Sequence, residues 1–298
     1  METDVPAEAA GERLDVFLAA SLGSRSQAQR LIVDGRVLVD GRAAQKGARI
    51  KGGERITVDE IEPGAPEPDA AAPVAQFEIA YEDDDLIVVD KPAGVVVHPA
   101  RGNREGTLAQ ALAGRAAGGE DPWRAGIVHR LDRNTSGLLV VAKSEEVHRR
   151  LKAALAARDI KREYLALVEG RPPARSGTIE APIGRDRRHR TRMSTDSDAP
   201  KPAITHFEFE RSLPQATLLR VRLQTGRTHQ IRVHLKAIGH PVCGDRDYGH
   251  AGLYGLKRQF LHATRLAFAH PTSGVEIDIV SALPADLEAA LAAAAESS

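Results

Sequence analysis

The sequence predicts an α+β protein: a small helix–helix–hairpin domain, then a larger domain whose extended, mostly antiparallel or mixed sheet carries peripheral helices. Three observations predict it. Short β-branched runs and alternating apolar residues dominate the chain, with helical spacing confined to isolated segments. Several neighbouring strands are joined too tightly for parallel crossovers. Residues 61–76 are Pro, Ala, Gly and acid, with almost no apolar residue larger than valine, too little to bury and so order the segment. That stretch reads as a flexible linker between residues 1–60 and residues 77–298.

Residues 1–10 are small and acidic and read as a frayed end. Leu14, Phe17, Leu18 and Leu22 then recur at helical spacing. A second helix follows, with Ser26 as its cap, Ala28, Leu31 and Ile32 as its apolar stripe, and Gly35 as its stop. Residues 37–39 form a strand, Asp40-Gly41 a hairpin turn, and residues 55–58 the returning strand.

The larger domain opens with alternation at Phe77, Ile79 and Tyr81, followed by a buried strand at 86–89 and a sharp turn at Lys91-Pro92-Ala93-Gly94. Thr107 caps a short helix, and 115–121 is a Gly/Ala-rich loop. Ser144 caps a helix with Glu145 and Glu146 in its first turn, where acids complement the dipole. Residues 161–168 form a strand, and 204–211 and 216–223 pair around Pro214. Thr228 caps a helix with Ile231, Leu235 and Ile238 inward and Gly239 at its end. Two strands, 261–268 and 275–280, precede a closing helix at 283–295 with Leu287 and Leu291 inward.

At 298 residues the chain has room for two domains of unequal size. Its 41 basic and 41 acidic residues balance, so nucleic-acid affinity must come from local patches. Cys243 is the single cysteine and cannot form an internal disulfide, which fits a reducing compartment. The acidic N-terminus is no signal peptide, and no apolar run approaches membrane-spanning length. A cytoplasmic, monomeric protein is expected.

The chemistry centres on residues 126–143. Both ends of this stretch are apolar and β-branched, whereas the middle sets Asp132 between Arg130 and Arg133 and follows it with Asn134-Thr135-Ser136-Gly137. A single carboxylate is thus expected on a turn between strands. The two guanidinium groups favour its ionised form. A surface turn with an ion pair would show the same local composition.

Four segments bear on these two readings. Residues 129–138, His129-Arg130-Leu131-Asp132-Arg133-Asn134-Thr135-Ser136-Gly137-Leu138, resemble the signature of the RluA-type RNA pseudouridine synthases. Residues 81–94, running on to His98-Pro99, resemble that family's first motif, and Lys161–Val168 its second. Residues 225–234, running on to Gly239-His240-Pro241 and Gly244-Asp245, resemble its last. The N-terminal unit resembles the S4 RNA-binding domain at Arg13-Leu14-Asp15, Ser24-Arg25-Ser26, Ala28, Ile32, Gly35, Val37, Val39, Gly41 and Gly53, with Asp40 where that family usually carries Asn.

The resemblance implies the pseudouridine synthase fold, no cofactor and no metal. It assigns catalysis to Asp132, with Arg232 paired to it. Tyr164 would stack on the target base, or else be strand core. Arg130 would fill the space of an extruded nucleotide, or else be a second ion partner for Asp132. The carboxylate could attack C1′ of the ribose, attack C6 of the base, or remove a ribose proton; the sequence does not choose. RNA contacts are expected from Arg25, Gln29 and Arg30 of the S4-like unit, alongside Arg36 and Arg42. A second set is expected from Arg185, Arg187, Arg188, Arg190 and Arg192, read as a flexible basic loop opposed only by Asp186. The implied partner is RNA, foremost 23S ribosomal RNA or a large-subunit assembly intermediate. A synthase acting on tRNA, or a non-catalytic assembly factor, stands as the alternative. His98, His129, His229 and His234 do not suggest metal, because His229 and His234 are five apart on a predicted helix.

Overall fold

The structure is a computed structural model that describes residues 1–22, 25–45, 47–59, 75–99, 105–119, 126–189 and 191–297. The expected linker falls almost wholly outside the described residues, as do Arg190 and the side chains of Arg25 and Arg30. Contacts divide the chain into two units, one spanning Met1–Pro73 and one beginning at Val74.

In the first unit, α1 (Leu14–Leu22) and α2 (Arg25–Val33) pack Leu14, Leu18, Ala28 and Ile32 against Val37, Ile56 and Val58 of a four-stranded sheet. Its strands are β1 (Glu2–Asp4), β2 (Val37–Val39), β3 (Arg42–Ala43) and β4 (Arg55–Val58). The N-terminus is therefore not frayed. β1 pairs antiparallel with β4, Met1 donates its ammonium to the Val58 carbonyl at 2.8 Å, and Val5 is buried. A short acidic segment is ordered here because its backbone completes a sheet edge and one apolar side chain reaches the core. The helix α2 begins at Arg25, so Ser26 lies within it and is not its cap. Asp40 and Gly41 both take positive φ, 49° and 75°, as the two-residue turn between β2 and β3 requires.

The second unit is built on a nine-stranded sheet. Its strands are β5 (Glu78–Glu82), β6 (Leu86–Lys91), β7 (Ser136–Ala142), β8 (Lys161–Glu169), β9 (Ser176–Glu180), β12 (Ile204–Ser212), β13 (Ala216–Leu223), β14 (Leu261–Ala269) and β15 (Glu276–Val280). The order is β5-β6-β7-β14-β8-β13-β12-β9, and β15 continues alongside the far half of β14. Every pairing is antiparallel except β7 with β14. The sheet is thus mostly antiparallel and mixed, as the strand spacing predicted.

The period-two alternation of each strand divides the core between two faces. Ile87, Val89, Leu139 and Val141 join α3 (Leu108–Ala111), α5 (Gln230–Ala237) and α6 (Ala285–Glu296) through Leu108, Leu235 and Leu287. Leu86, Val88, Leu138 and Val140 meet Val147 and Leu151 of α4 (Glu145–Ala157) on the other. Strands β6 and β7 are covered on both faces, which is why they read as unbroken apolar runs. Thr107 caps α3 in a reciprocal box with Gln110, and the Ser144 side chain accepts the Val147 N–H to start α4.

Two local expectations fail. Thr228 does not cap α5; the capping position is His229, held at φ 57°. Gly184 to Ser194 is no irregular loop: β10 (Gly184–Arg185) pairs with β11 (Met193–Ser194), and Asp186 pins the turn by accepting the Arg188 and His189 N–H groups at 2.8 and 2.7 Å. An Asx-type turn is invisible to strand and helix periodicity.

Candidate active site

Strand β7 starts at the turn that carries Asp132, and backbone groups fix that turn from three sides. The Thr135 N–H closes it on the Asp132 carbonyl at 3.1 Å, and the Gly94 N–H donates to the Arg133 carbonyl at 2.8 Å. Lys91 is wholly buried and points its ammonium at the carbonyls of Pro92, Val95 and Arg133 at 2.8, 3.0 and 3.1 Å. Burial pulls the pKa of Lys91 down to about 7, against the field of Asp132. From beyond residue 250, Arg258 donates to the Asn134 carbonyl at 3.1 Å and Gln259 to the Thr135 hydroxyl at 3.2 Å. The close approach of β7 to β14 depends on Gly137. At φ 110°, a Cβ there would lie 2.2 Å from the Ala263 carbonyl oxygen.

Asp132 meets its cation from α5. Arg232 Nη1 donates to Asp132 Oδ2 at 3.2 Å. The rest of the guanidinium is occupied: Nε and Nη2 grip Asp245 at 2.6 and 2.8 Å, and Nη2 also reaches Asp247 at 2.7 Å. Arg232 further stacks over Tyr248, 4.9 Å from the ring centre. Burial opposes its charge, but the Asp245 hydrogen bonds and the fields of Asp245 and Asp132 outweigh it and raise the pKa above the ordinary arginine value. Arg232 is thus a fixed, permanent cation whose one spare arm is aimed at Asp132.

The local guanidinium groups do not fill that role. Among the described residues, the ion-pair partners of Asp132 are Arg232 and, at 4.0 Å, His229. Arg130 is exposed, and Arg133 turns its Nε to the Gly94 carbonyl at 3.1 Å. Sequence neighbours project to different sides of a turn, whereas a residue one hundred positions later can be brought face to face by the fold. The reading of Arg130 and Arg133 as flanking charges for Asp132 is therefore corrected.

Two clefts meet at Asp132, His229 and Arg232. The larger, about 240 Å³, is lined by Arg133, Arg246, Lys257 and Arg258, a donor-rich wall suited to phosphate oxygens. The smaller has Leu131, Tyr164, Leu223, Ile231 and Leu261 in its wall, with Arg130 and Arg227 among its polar residues. Tyr164 is 4% exposed, and burial raises its pKa, so its ring is a neutral apolar face. A carboxylate at the junction of a cleft of mixed lining, with Tyr164 and aliphatic side chains in its wall, and a basic one can reach a sugar whose base enters the first and whose phosphates lie along the second.

The remaining predicted residues are distributed as follows. Gln29 does not face outward for phosphate: it donates to the buried Asp15, which also accepts Arg13 Nε at 2.8 Å. Arg185, Arg187 and Arg188 are exposed on the β10–β11 hairpin and Arg192 is half-buried. Asp186 is not their only opposition, since Arg187 is paired with Asp196 and Asp198 at 3.2 and 2.8 Å. His234 is fully buried between the Thr205 hydroxyl and the Ala181 carbonyl, both at 2.9 Å, and His129 is driven by burial to a pKa of about 3. Cys243 is buried, and burial pushes its thiol up to about 12, far from a reactive thiolate. The sequence alone assigns no role to Asp245 or Tyr248; the Gly244-Asp245 motif marks the first, and nothing marks the second.

The fold is that of an RNA-modifying isomerase: residues 85–237 match the family described as RNA pseudouridylate synthase, while residues 12–56 match the S4 domain. The chain belongs to the RNA pseudouridine synthase family, whose members convert uridine to pseudouridine in RNA. Among its relatives, the ribosomal large subunit pseudouridine synthase D of Nitrosomonas europaea is 46% identical, aligned over 98% of this chain and 87% of its own. The uncharacterized RNA pseudouridine synthase YlyB of Bacillus subtilis is 42% identical over 94% of this chain and 93% of its own. The solved structure of human RNA pseudouridylate synthase domain containing 1 is 29% identical, with a TM-score of 0.57, covering 72% of this chain and 87% of its own. No helix among the described residues is long and apolar enough to cross a membrane.

Proposed function

We propose that this protein isomerises specific uridines in large-subunit ribosomal RNA, with Asp132 as its catalytic group. The observation that carries the assignment is Asp132 itself, set where a small cleft walled by Tyr164 and aliphatic side chains among polar ones meets a larger basic cleft, and paired with a guanidinium locked from behind. The reaction breaks the bond between C1′ and N1 of uracil and rejoins the base through C5. Atoms and electrons balance within the nucleoside, so an ionised carboxylate beside the sugar is sufficient protein chemistry. A stacked uridine must first leave its helix to reach a turn enclosed in this way.

In this reading Tyr164 and the leucines beside it receive the extruded base. Arg130, exposed at the rim of the same cleft, occupies the space the base vacates. Arg133, Arg246 and Lys257 take the flanking phosphates. The S4-like unit and the β10–β11 hairpin add sequence-independent contacts. The ribosomal assignment is supported by the full-length likeness to large-subunit synthases. The protein is expected to work in the cytoplasm as a monomer.

The test is pseudouridine mapping across total RNA from cells with and without the protein, complemented by wild type or by Asp132→Asn. A large-subunit position that is modified only with wild type supports the proposal. Sites confined to tRNA would move the substrate, and modification by Asp132→Asn would remove Asp132 from catalysis. Binding of ribosomal RNA without any modification would favour an assembly factor.

A further inference from the structure

We propose that His229 is a positioning residue for Asp132: a neutral imidazole held by Tyr248 in its Nε2–H form, presenting that N–H to the carboxylate oxygen Arg232 leaves free. The proposal rests on the catalytic assignment of Asp132 above.

The geometry begins at a backbone group. The Met193 N–H, on β11, can only donate, and it donates to the Tyr248 hydroxyl oxygen at 2.8 Å. The same hydroxyl lies 2.8 Å from His229 Nδ1. Tyr248 is buried, and its phenol, pushed up to about 12 chiefly by burial, keeps its proton. The arrangement that uses every group has Tyr248 accept from Met193 and donate to Nδ1. Nδ1 is then an acceptor, and the ring proton must sit on Nε2. His229 Nε2 faces Asp132 Oδ1 at 4.0 Å, while Arg232 Nη1 takes Oδ2. Catalytic hydrogen bonds often tighten only when substrate is bound, so a separation of this size fits a poised donor.

Two further features point the same way. His229 stands at φ 57°, a conformation few side chains tolerate, in the residue that caps α5 without any capping hydrogen bond of its own. The backbone is bent to aim the ring, and Tyr248 meets that ring edge-on at 5.6 Å. The charged groups facing His229 are Asp132, Arg232, Asp247 and Asp245. Burial, chiefly, lowers its pKa below the ordinary value, with the carboxylates opposing. One oxygen of Asp132 is thus held by a permanent cation and the other faces a neutral donor. This orients the carboxylate without a second positive charge that would blunt its reactivity.

Ring ¹⁵N spectra of the full-length protein, with the His229 signals assigned by their loss in His229→Gln, test the tautomer without reference to activity. A neutral ring protonated on Nε2 is expected, losing its single tautomer and titrating at higher pH in Tyr248→Phe, because the lost hydrogen bond stabilised the neutral form. Turnover of uridine in RNA then tests the role. His229→Gln, whose amide N–H reaches the place of Nε2, should stay within about threefold of wild-type kcat, while His229→Leu loses about 10–100-fold at unchanged KM. An Nδ1–H or protonated ring at neutral pH overturns the proposal, and so do equal losses in Gln and Leu. If Asp132→Asn retains activity while the spectra are as expected, the catalytic assignment has failed and the tautomer has not.

Discussion

Arg232 grips Asp245 with two parallel hydrogen bonds of 2.6 and 2.8 Å, and this pair, only 5% and 0% exposed, is the rigid base on which the Asp132 contact stands. A planar guanidinium held by two of its nitrogens has its third fixed in direction. The position of the Asp132 carboxylate is therefore decided as much by Asp245 as by Arg232.

Replacing Arg232 with Lys keeps the charge and loses the fork. The expected outcome is a fall in kcat of about 10–100-fold with little change in RNA affinity. Asp245→Asn should act in the same direction, because it loosens the guanidinium rather than removing it. Single-turnover rates at saturating enzyme measure both.

Tyr164 contributes a buried, neutral ring face to the smaller cleft. Tyr164→Phe should retain activity within a few-fold. Tyr164→Ala removes the proposed base platform, a loss expected at about 1–3 kcal/mol, and opens the core beneath it. Comparing KM and kcat for the two variants, alongside thermal melts, separates stacking from stability.

Gly137→Ala should be severely destabilising, by about 2–4 kcal/mol or more, since the new methyl would meet the Ala263 carbonyl in a strand whose φ already disfavours it. Denaturant unfolding measures this directly. Ala at Gly94, where a Cβ meets nothing within 4 Å, should lose only the cost of its positive φ.

Lys91 gives stability a dependence on pH. Its folded pKa, about 7, lies below the unfolded value near 10.4, so between those limits the unfolded chain holds the extra proton. The contribution of Lys91 to stability should rise as pH increases through that window, by on the order of 1.4 kcal/mol per pH unit. In Lys91→Met that component should vanish, as unfolding curves at pH 6.5 to 10 would reveal.

The exposed arginines of the β10–β11 hairpin should act through phosphate alone. Arg188→Ala is expected to weaken binding to all RNA sequences about equally and to lower the salt slope by about one. Arg187→Ala should do less, because its guanidinium is already engaged by Asp196 and Asp198. Binding isotherms over a range of salt concentrations distinguish the two.

Much of this was legible in the sequence, for physical reasons. Strands buried on both faces, such as β6 and β7, betray themselves as continuous apolar runs, and α4 announces its start through Ser144. What escaped was non-local or backbone-driven. No periodicity shows that Arg232, not Arg130, faces Asp132, and only the family motif hinted at it. The left-handed turn at His229 hides behind a threonine that looks like a good cap. The edge strand at Glu2–Asp4 was missed because its ordering comes from its partner at Arg55–Val58. Gln29 looked like a phosphate ligand until the fold turned it toward Asp15.

The Asp132 turn draws its support from far downstream: Arg232 is separated from it by 100 residues, and Arg258 and Gln259 reach Asn134 and Thr135 across 124. During synthesis the N-terminal half emerges with its reactive carboxylate unframed, and loop closures of this span are slow to form. The arrangement around Asp132 is thus absent from a nascent chain until its C-terminal third has been made. Competence arrives only when the last strands have threaded into the middle of the sheet.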